Sequence, residues 1–104
     1  MSSSGEGGGY EVHNSAAIAR AFLELQRQAA QQGRGEELLR AARLVYDRLR
    51  QDPNELGEPL YRLPALRMQV RCAVIRPLSV DFAICEDRPL VFIKAVRLLA
   101  PQDR

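Results

Sequence analysis

The sequence predicts an α+β fold: a short N-terminal strand, a helical hairpin, and then a three-stranded antiparallel meander packed on the two helices. Between residues 16 and 52 apolar residues recur every three to four positions, the period of an amphipathic helix. From residue 67 onward they alternate, as in strands with one buried face. The 104 residues, 46% hydrophobic and 27% charged, suit one globular domain. We predict that domain over residues 10–99, with a disordered leader at 1–9 and a tail at 100–104.

The first half contains the short strand and both helices. Residues 10–13 have β character, and either Asn14 or Ser15 can cap a helix that begins at Ala16, because a short side-chain oxygen accepts a bond from an orphan N–H. Gly33 ends this helix. The predicted buried stripe is Ile18, Ala21, Phe22, Leu25 and Ala29.

A second helix is predicted from Gly35 to the Asp52-Pro53 pair, since the residue before proline is pushed out of helical geometry. Two glutamates in its first turn suit the positive end of the helix dipole. Residues 54–66 contain glycine and two prolines and are interpreted as a connecting loop. The buried stripe of the second helix is predicted to be Leu38, Leu39, Ala42, Val45 and Leu49.

The meander is predicted from strands at 67–75, 79–86 and 90–98, joined by a three-residue turn and a two-residue turn. This register puts apolar residues opposite one another on a single face, whereas a one-residue slip would bury Asp81. It also pairs Asp81 with Lys94 and puts Cys72 and Cys85 on opposite faces. The predicted facing pairs are Val74–Val80, Cys72–Phe82, Val70–Ile84, Ile84–Val91, Phe82–Ile93 and Val80–Ala95.

Composition argues against several kinds of function. The net charge of +2 is too small to indicate a strongly basic nucleic-acid binder, although the second half of the chain is mildly basic. Cys72, Cys85 and His13 lack a metal-ligand spacing, so we expect no metal and no cofactor. Phosphate-binding glycine loops, carboxylate pairs and catalytic triads do not stand out. Without a signal-peptide pattern or a membrane-length apolar run, we expect a cytoplasmic protein with no membrane partner.

The run from Val80 to Val96 has the order strand, acidic turn and apolar closing strand. Together with the leading strand and the helical hairpin, it resembles the RelE/ParE superfamily of type II toxin–antitoxin toxins over residues 10–99. The resemblance implies a cognate antitoxin as partner. For RelE-type members it also implies cleavage of mRNA on the ribosome, by cations on the open face of the sheet that stabilise the charge of the reacting phosphate.

The residues expected to contact nucleic acid or the ribosome are Arg67, Arg71, Lys94 and Arg97. Arg71 falls where a family lysine or arginine lies on the first meander strand, and Arg67 is expected on the same face. Two family cations are replaced, one by Ser79 and one near Leu99, and the tyrosine that often follows is missing. The sequence therefore predicts a toxin-family protein degenerate in its ribonuclease residues. The alternatives are a non-catalytic protein-interaction module and a ParE-type gyrase inhibitor on the same fold.

Overall fold

A computed structural model of the chain describes residues 9–101. A five-stranded sheet has the order β1-β5-β4-β3-β2, in which β1 is parallel to β5 and the other neighbours are antiparallel. The predicted α+β layout is confirmed. The predicted leader lies outside the described residues except for Gly9, as do residues 102–104 of the tail. The elements are β1 (Glu11–His13), α1 (Ala16–Gln31), α2 (Gly35–Gln51), β2 (Glu58–Leu63), β3 (Met68–Ile75), β4 (Leu78–Cys85) and β5 (Leu90–Leu98), with 3-10 turns at Pro53–Glu55 and Pro64–Leu66.

The helix ends follow from local chemistry. The Ser15 hydroxyl accepts a bond from the Ile18 backbone N–H at 3.1 Å, so Ser15 caps α1. Gly33 has a positive φ of 73°, as a glycine beyond a helix end commonly does. The helix α2 begins at Gly35 and is capped at its C-terminus by Asp52, as predicted.

The buried stripe of α2 differs from the prediction at two positions, and at the milder of them Ala42 is half-buried. Leu38, Val45 and Leu49 are buried, but Leu39 is 44% exposed and Ala41 takes its place in the core. The spacing Leu38, Ala41, Val45 keeps one narrow face toward the sheet. Leu39 is therefore an exposed apolar residue.

The loop predicted between α2 and the meander is wrong, because residues 58–63 form the edge strand β2. Its backbone pairs with β3, while five of its six residues are exposed, so it lacks the apolar alternation that predicts a strand. Pro59 is tolerated because an edge strand leaves one side unpaired. The register shifts between Pro59 and Tyr61, as in a bulge.

The predicted register between β3 and β4 is wrong by one residue. Arg76 and Pro77 form a two-residue connection, so Ile75 pairs with Leu78 and Ala73 with Val80. This reverses the faces of β3: Ala73 and Ile75 pack in the helix-side core, and Val70 lies on the other face opposite Ala83. Cys72 and Cys85 consequently lie on the same face, contrary to prediction, and both are free thiols.

The register between β4 and β5 is as predicted for Ile84–Val91 and Phe82–Ile93. It then shifts by one, so Val80 faces Val96 instead of Ala95. The extra residue is Lys94, and a bulge of this kind brings Val96 onto the helix-side face. The core between helices and sheet centres on the fully buried Phe82, with Leu38, Val45, Leu49, Val80, Ile84 and Val91 around it.

Candidate functional site

Arg71, expected on the open face, instead lies on the helix side of β3 and is only 8% exposed. Its Nε donates to the Leu56 carbonyl and its Nη2 to the Gly57 carbonyl, both at 2.9 Å. The turn between β3 and β4 has two residues instead of the predicted three. This difference puts every side chain of β3, including Arg71, on the face opposite to the predicted one. The guanidinium thus holds the segment before β2 against the sheet, and the expected placement of Arg71 is wrong.

Arg97 lies on the open face, where it is paired. Its Nη2 donates to the Asp81 carboxylate at 2.8 Å and lies 3.5 Å from the Ser79 hydroxyl. The hydrogen bond that Arg97 donates to Asp81 raises the pKa of Arg97 above its ordinary value, so the guanidinium stays charged. Much of that charge is compensated within the chain, which weakens Arg97 as a contact for a phosphate.

Arg67 lies outside the strand in which it was expected. It caps the turn before β3 with a left-handed backbone, φ 53°, and its side chain is 71% exposed, 3.8 Å from the Asp87 carboxylate. Arg67 adjoins the Met68–Cys85 pair, whereas Arg97 pairs with Ser79 near the other end of β4. At about 3.3 Å per residue these positions are about 20 Å apart, too far to hold one phosphate group together.

Lys94 is exposed in the bulge of β5. The predicted Asp81–Lys94 pair is wrong: Asp81 faces Ala95 in the register and binds Arg97. The four candidate cations are therefore not brought together. One is buried in a structural role, two contact carboxylates, and Lys94 is exposed at a different position.

An ion pair that the sequence did not predict closes the edge of the sheet. Arg62 of β2 donates from Nη2 to Glu86 Oε1 at 2.7 Å, just beyond the end of β4. That hydrogen bond holds the pKa of Glu86 below its ordinary value, and it raises the pKa of Arg62. This contact was not predicted because the residues of β2 were predicted to lie in a loop.

We expect Arg62→Gln to raise the pKa of Glu86 toward its ordinary value, measured by NMR titration of the carboxyl carbon. A carboxyl with a lowered folded pKa stabilises the fold above its unfolded pKa, and this contribution is lost as pH falls through the folded pKa. The pH dependence of unfolding in that acidic window should therefore flatten in the variant. Arg67→Gln is the control, since Arg67 lowers the pKa of Glu86 less. An equal rise of the Glu86 pKa in both variants would contradict the conclusion that Arg62 is the main cause of its lowering.

An apolar cavity of about 330 Å³, here called the helix groove, lies between α1, α2 and strands β4 and β5. Its two polar side chains, Asn14 and Tyr46, hydrogen-bond to one another, so the lining presents mainly hydrocarbon. Leu23, on its rim, is 63% exposed. No pattern in the sequence predicted this groove, although six of its lining residues were predicted to be buried: Ile18, Phe22, Ala42, Val45, Val80 and Ile93. The groove is lined by Asn14, Ile18, Ala19, Phe22, Leu23, Ala42, Val45, Tyr46, Leu78, Val80, Ile93 and Val96.

The rim of the helix groove also carries positive charge. The guanidinium of Arg50 lies over the Tyr46 ring, 5.6 Å from its centre. Among residues 9–101, no carboxylate is within ion-pair distance of Arg50. An apolar groove beside a cation suits a ligand with apolar side chains and a negative charge.

Two further properties bear on the chemistry. Within the described part of the chain, no three His, Cys, Asp or Glu side chains are grouped so that they could hold a metal ion. Neither α1 nor α2 combines the length and hydropathy needed to cross a membrane.

Comparisons with protein-family models, curated proteins and solved structures gave no significant match.

Proposed function

We propose that this chain is a RelE/ParE-like member of a type II toxin–antitoxin system that binds a protein partner of the antitoxin kind and does not cut mRNA. The absence of mRNA cleavage is inferred from the position of Arg71, whose guanidinium donates to two backbone carbonyls on the helix side of the sheet. Because Arg71 is also only 8% exposed, its guanidinium is not accessible to an RNA phosphate. A cytoplasmic location accords with such a system.

The element order supports the family part of the proposal. A short strand, a helical hairpin and a meander occur in the order expected for this superfamily, and the N-terminal strand lies parallel to the last one. The run from Val80 to Val96 forms most of two neighbouring strands and their acidic turn, as the resemblance implies. Fold alone does not determine chemistry, so the residue positions decide between cleavage and binding.

The helix groove supports the binding part. We infer that it receives apolar side chains of an amphipathic, acidic helix from the partner. Apolar anchors in a groove supply most of the affinity in this mode of recognition, and charges at the rim supply orientation. Leu23 on the rim would contact such a helix, and Arg50 would face its acidic side.

Cleavage is tested by inducing the protein in cells and mapping the 5′ ends of cellular mRNA. We expect no codon-phased cuts. Cuts that appear on induction and disappear in Lys94→Ala would overturn the non-catalytic reading, since Lys94 is exposed and its removal should leave the fold intact.

Partner binding is tested by purifying the protein from cells that carry its gene with the flanking reading frames. We expect a stoichiometric complex with the product of one flanking frame, and an at least tenfold weaker affinity for Leu23→Asp. Leu39→Asp is the matched control, because Leu39 is an exposed helix leucine that does not line the groove. Recovery of the protein alone, or equal weakening by both substitutions, would contradict the proposal.

A further inference from the structure

A second cavity, of about 520 Å³, lies where the first half of α2 meets the β3–β4 turn and the segment after β5. We call it the arginine pocket. It shares no lining residue with the helix groove. Its volume is within the range of small-molecule sites. The pocket is lined by Arg34, Glu37, Arg40, Ala41, Leu44, Ile75, Arg76, Pro77 and Pro101.

Two of its arginines are held in place by the backbone. Arg34 donates from Nη2 to the Leu99 carbonyl at 2.9 Å and from Nε to Gln32 Oε1 at 3.0 Å. Arg76 donates from Nη2 to the Ala100 carbonyl at 2.9 Å. Each retains further N–H groups for a ligand, because a guanidinium has five. Their orientation is already fixed, so binding would cost less side-chain entropy.

Among the residues that the structure describes, the lining of the pocket has an excess of positive charge. Three guanidiniums line it against one carboxylate, that of Glu37. In the range 9–101, no carboxylate lies within ion-pair distance of Arg34, Arg40 or Arg76, whereas five other arginines each have such a partner. Like charges gathered around a cavity repel one another, and a bound anion relieves that repulsion.

We propose that the arginine pocket binds a phosphoryl group. A phosphate offers enough oxygens to accept bonds from several guanidiniums at once, and the planar fork of arginine matches it in two-point contacts. Leu44, Ile75 and Pro77 provide an apolar wall beside the cations, suited to the rest of a phosphorylated molecule. The phosphoryl group can belong to a free phosphorylated compound or to a nucleic-acid backbone. This inference is independent of the partner proposed for the helix groove.

The test is a titration of the full chain with inorganic pyrophosphate at constant ionic strength, followed by calorimetry and by NMR shifts of arginine Nε–H groups. We expect saturable binding with a Kd below about 1 mM, in the micromolar-to-millimolar range that is ordinary for small ligands. Arg40→Gln should weaken it at least tenfold, since Arg40 lines the pocket, and its exposed position on α2 should let the fold tolerate the change. Arg43→Gln, on the same helix but outside the pocket, removes the same charge and should change the affinity less than twofold.

A second arm uses a short single-stranded RNA under the same conditions. Tighter binding of the RNA than of pyrophosphate, lost in Arg40→Gln, would assign the phosphoryl group to a nucleic acid; binding of pyrophosphate alone would assign it to a small compound. Asp103→Asn is titrated in parallel, because this carboxylate follows Pro101 by two positions in the sequence. Absence of saturable binding in both wild type and Asp103→Asn, or equal weakening by Arg40→Gln and Arg43→Gln, overturns the proposal.

Discussion

Gly57→Ala should prevent stable folding or lower the free energy of unfolding by about 4 kcal/mol or more, the range reserved for severe backbone conflicts. A Cβ at Gly57 would lie 2.1 Å from the Cys72 carbonyl oxygen and 2.8 Å from the Ala73 Cα. Both atoms belong to the backbone of β3, which is paired on both sides and cannot move aside. The positive φ of 69° at Gly57 adds further strain for any residue with a Cβ.

Gly33→Ala is the matched control for Gly57→Ala. Gly33 has nearly the same backbone conformation, φ 73°, but nothing lies within 4 Å of the position its Cβ would occupy. Gly33→Ala should therefore lower the free energy of unfolding by only about 1 kcal/mol, the cost of placing alanine in the left-handed conformation. Urea denaturation of the two variants separates steric contact from backbone strain. Similar losses in both would contradict the close approach of Gly57 to β3.

Much of the fold could be predicted because local signals and tertiary packing agree in most elements. Ser15, Gly33 and Pro53 determine the helix ends through chemistry within a few residues. The bounds of β5 were predicted correctly because its flanking turn and apolar alternation are both clear in the sequence. Where one face of an element packs in the core and the other faces solvent, the spacing of its apolar residues predicts both the type of element and its buried face.

The strand β2 and the register of β3 could not be predicted for the opposite reason. β2 is exposed on both faces, so backbone pairing with β3 alone makes it a strand. In β3, apolar residues occur on both faces, and both Val70 and Ala73 are buried. Apolar alternation therefore does not determine the register of β3, which depends on the length of the turn at Arg76-Pro77.

The prediction of the candidate site failed at the same point. Moving β3 by one residue takes Arg71 from the open face to the helix side. The bulge at Lys94 in β5 separately makes Arg97 the partner of Asp81. The cations of the arginine pocket come from the residue before α2, from α2 itself and from the β3–β4 turn, so no single stretch of sequence contains them together. Local patterns identify elements, whereas a site assembled from several elements depends on register.

Arg71→Met should lower the free energy of unfolding by about 2–4 kcal/mol, because it leaves the carbonyls of Leu56 and Gly57 without their donors. Methionine keeps most of the apolar volume, so the loss reports mainly on the hydrogen bonds. Hydrogen exchange of the β2 amides should quicken as well, since Arg71 anchors the segment that leads into this edge strand. Arg67→Met is the control and should change stability by less than about 0.5 kcal/mol, because its side chain is 71% exposed.

The comparison between these two arginines discriminates a structural role from a surface role. If Arg71 were a solvent-facing cation on the open sheet, both substitutions would have equally small effects in urea denaturation. If it anchors residues 56–57, any activity lost in Arg71 variants would follow the fraction of folded protein and return under stabilising conditions. Loss of function at Arg71 therefore cannot identify RNA chemistry, and exposed Lys94 is the sound position for that test.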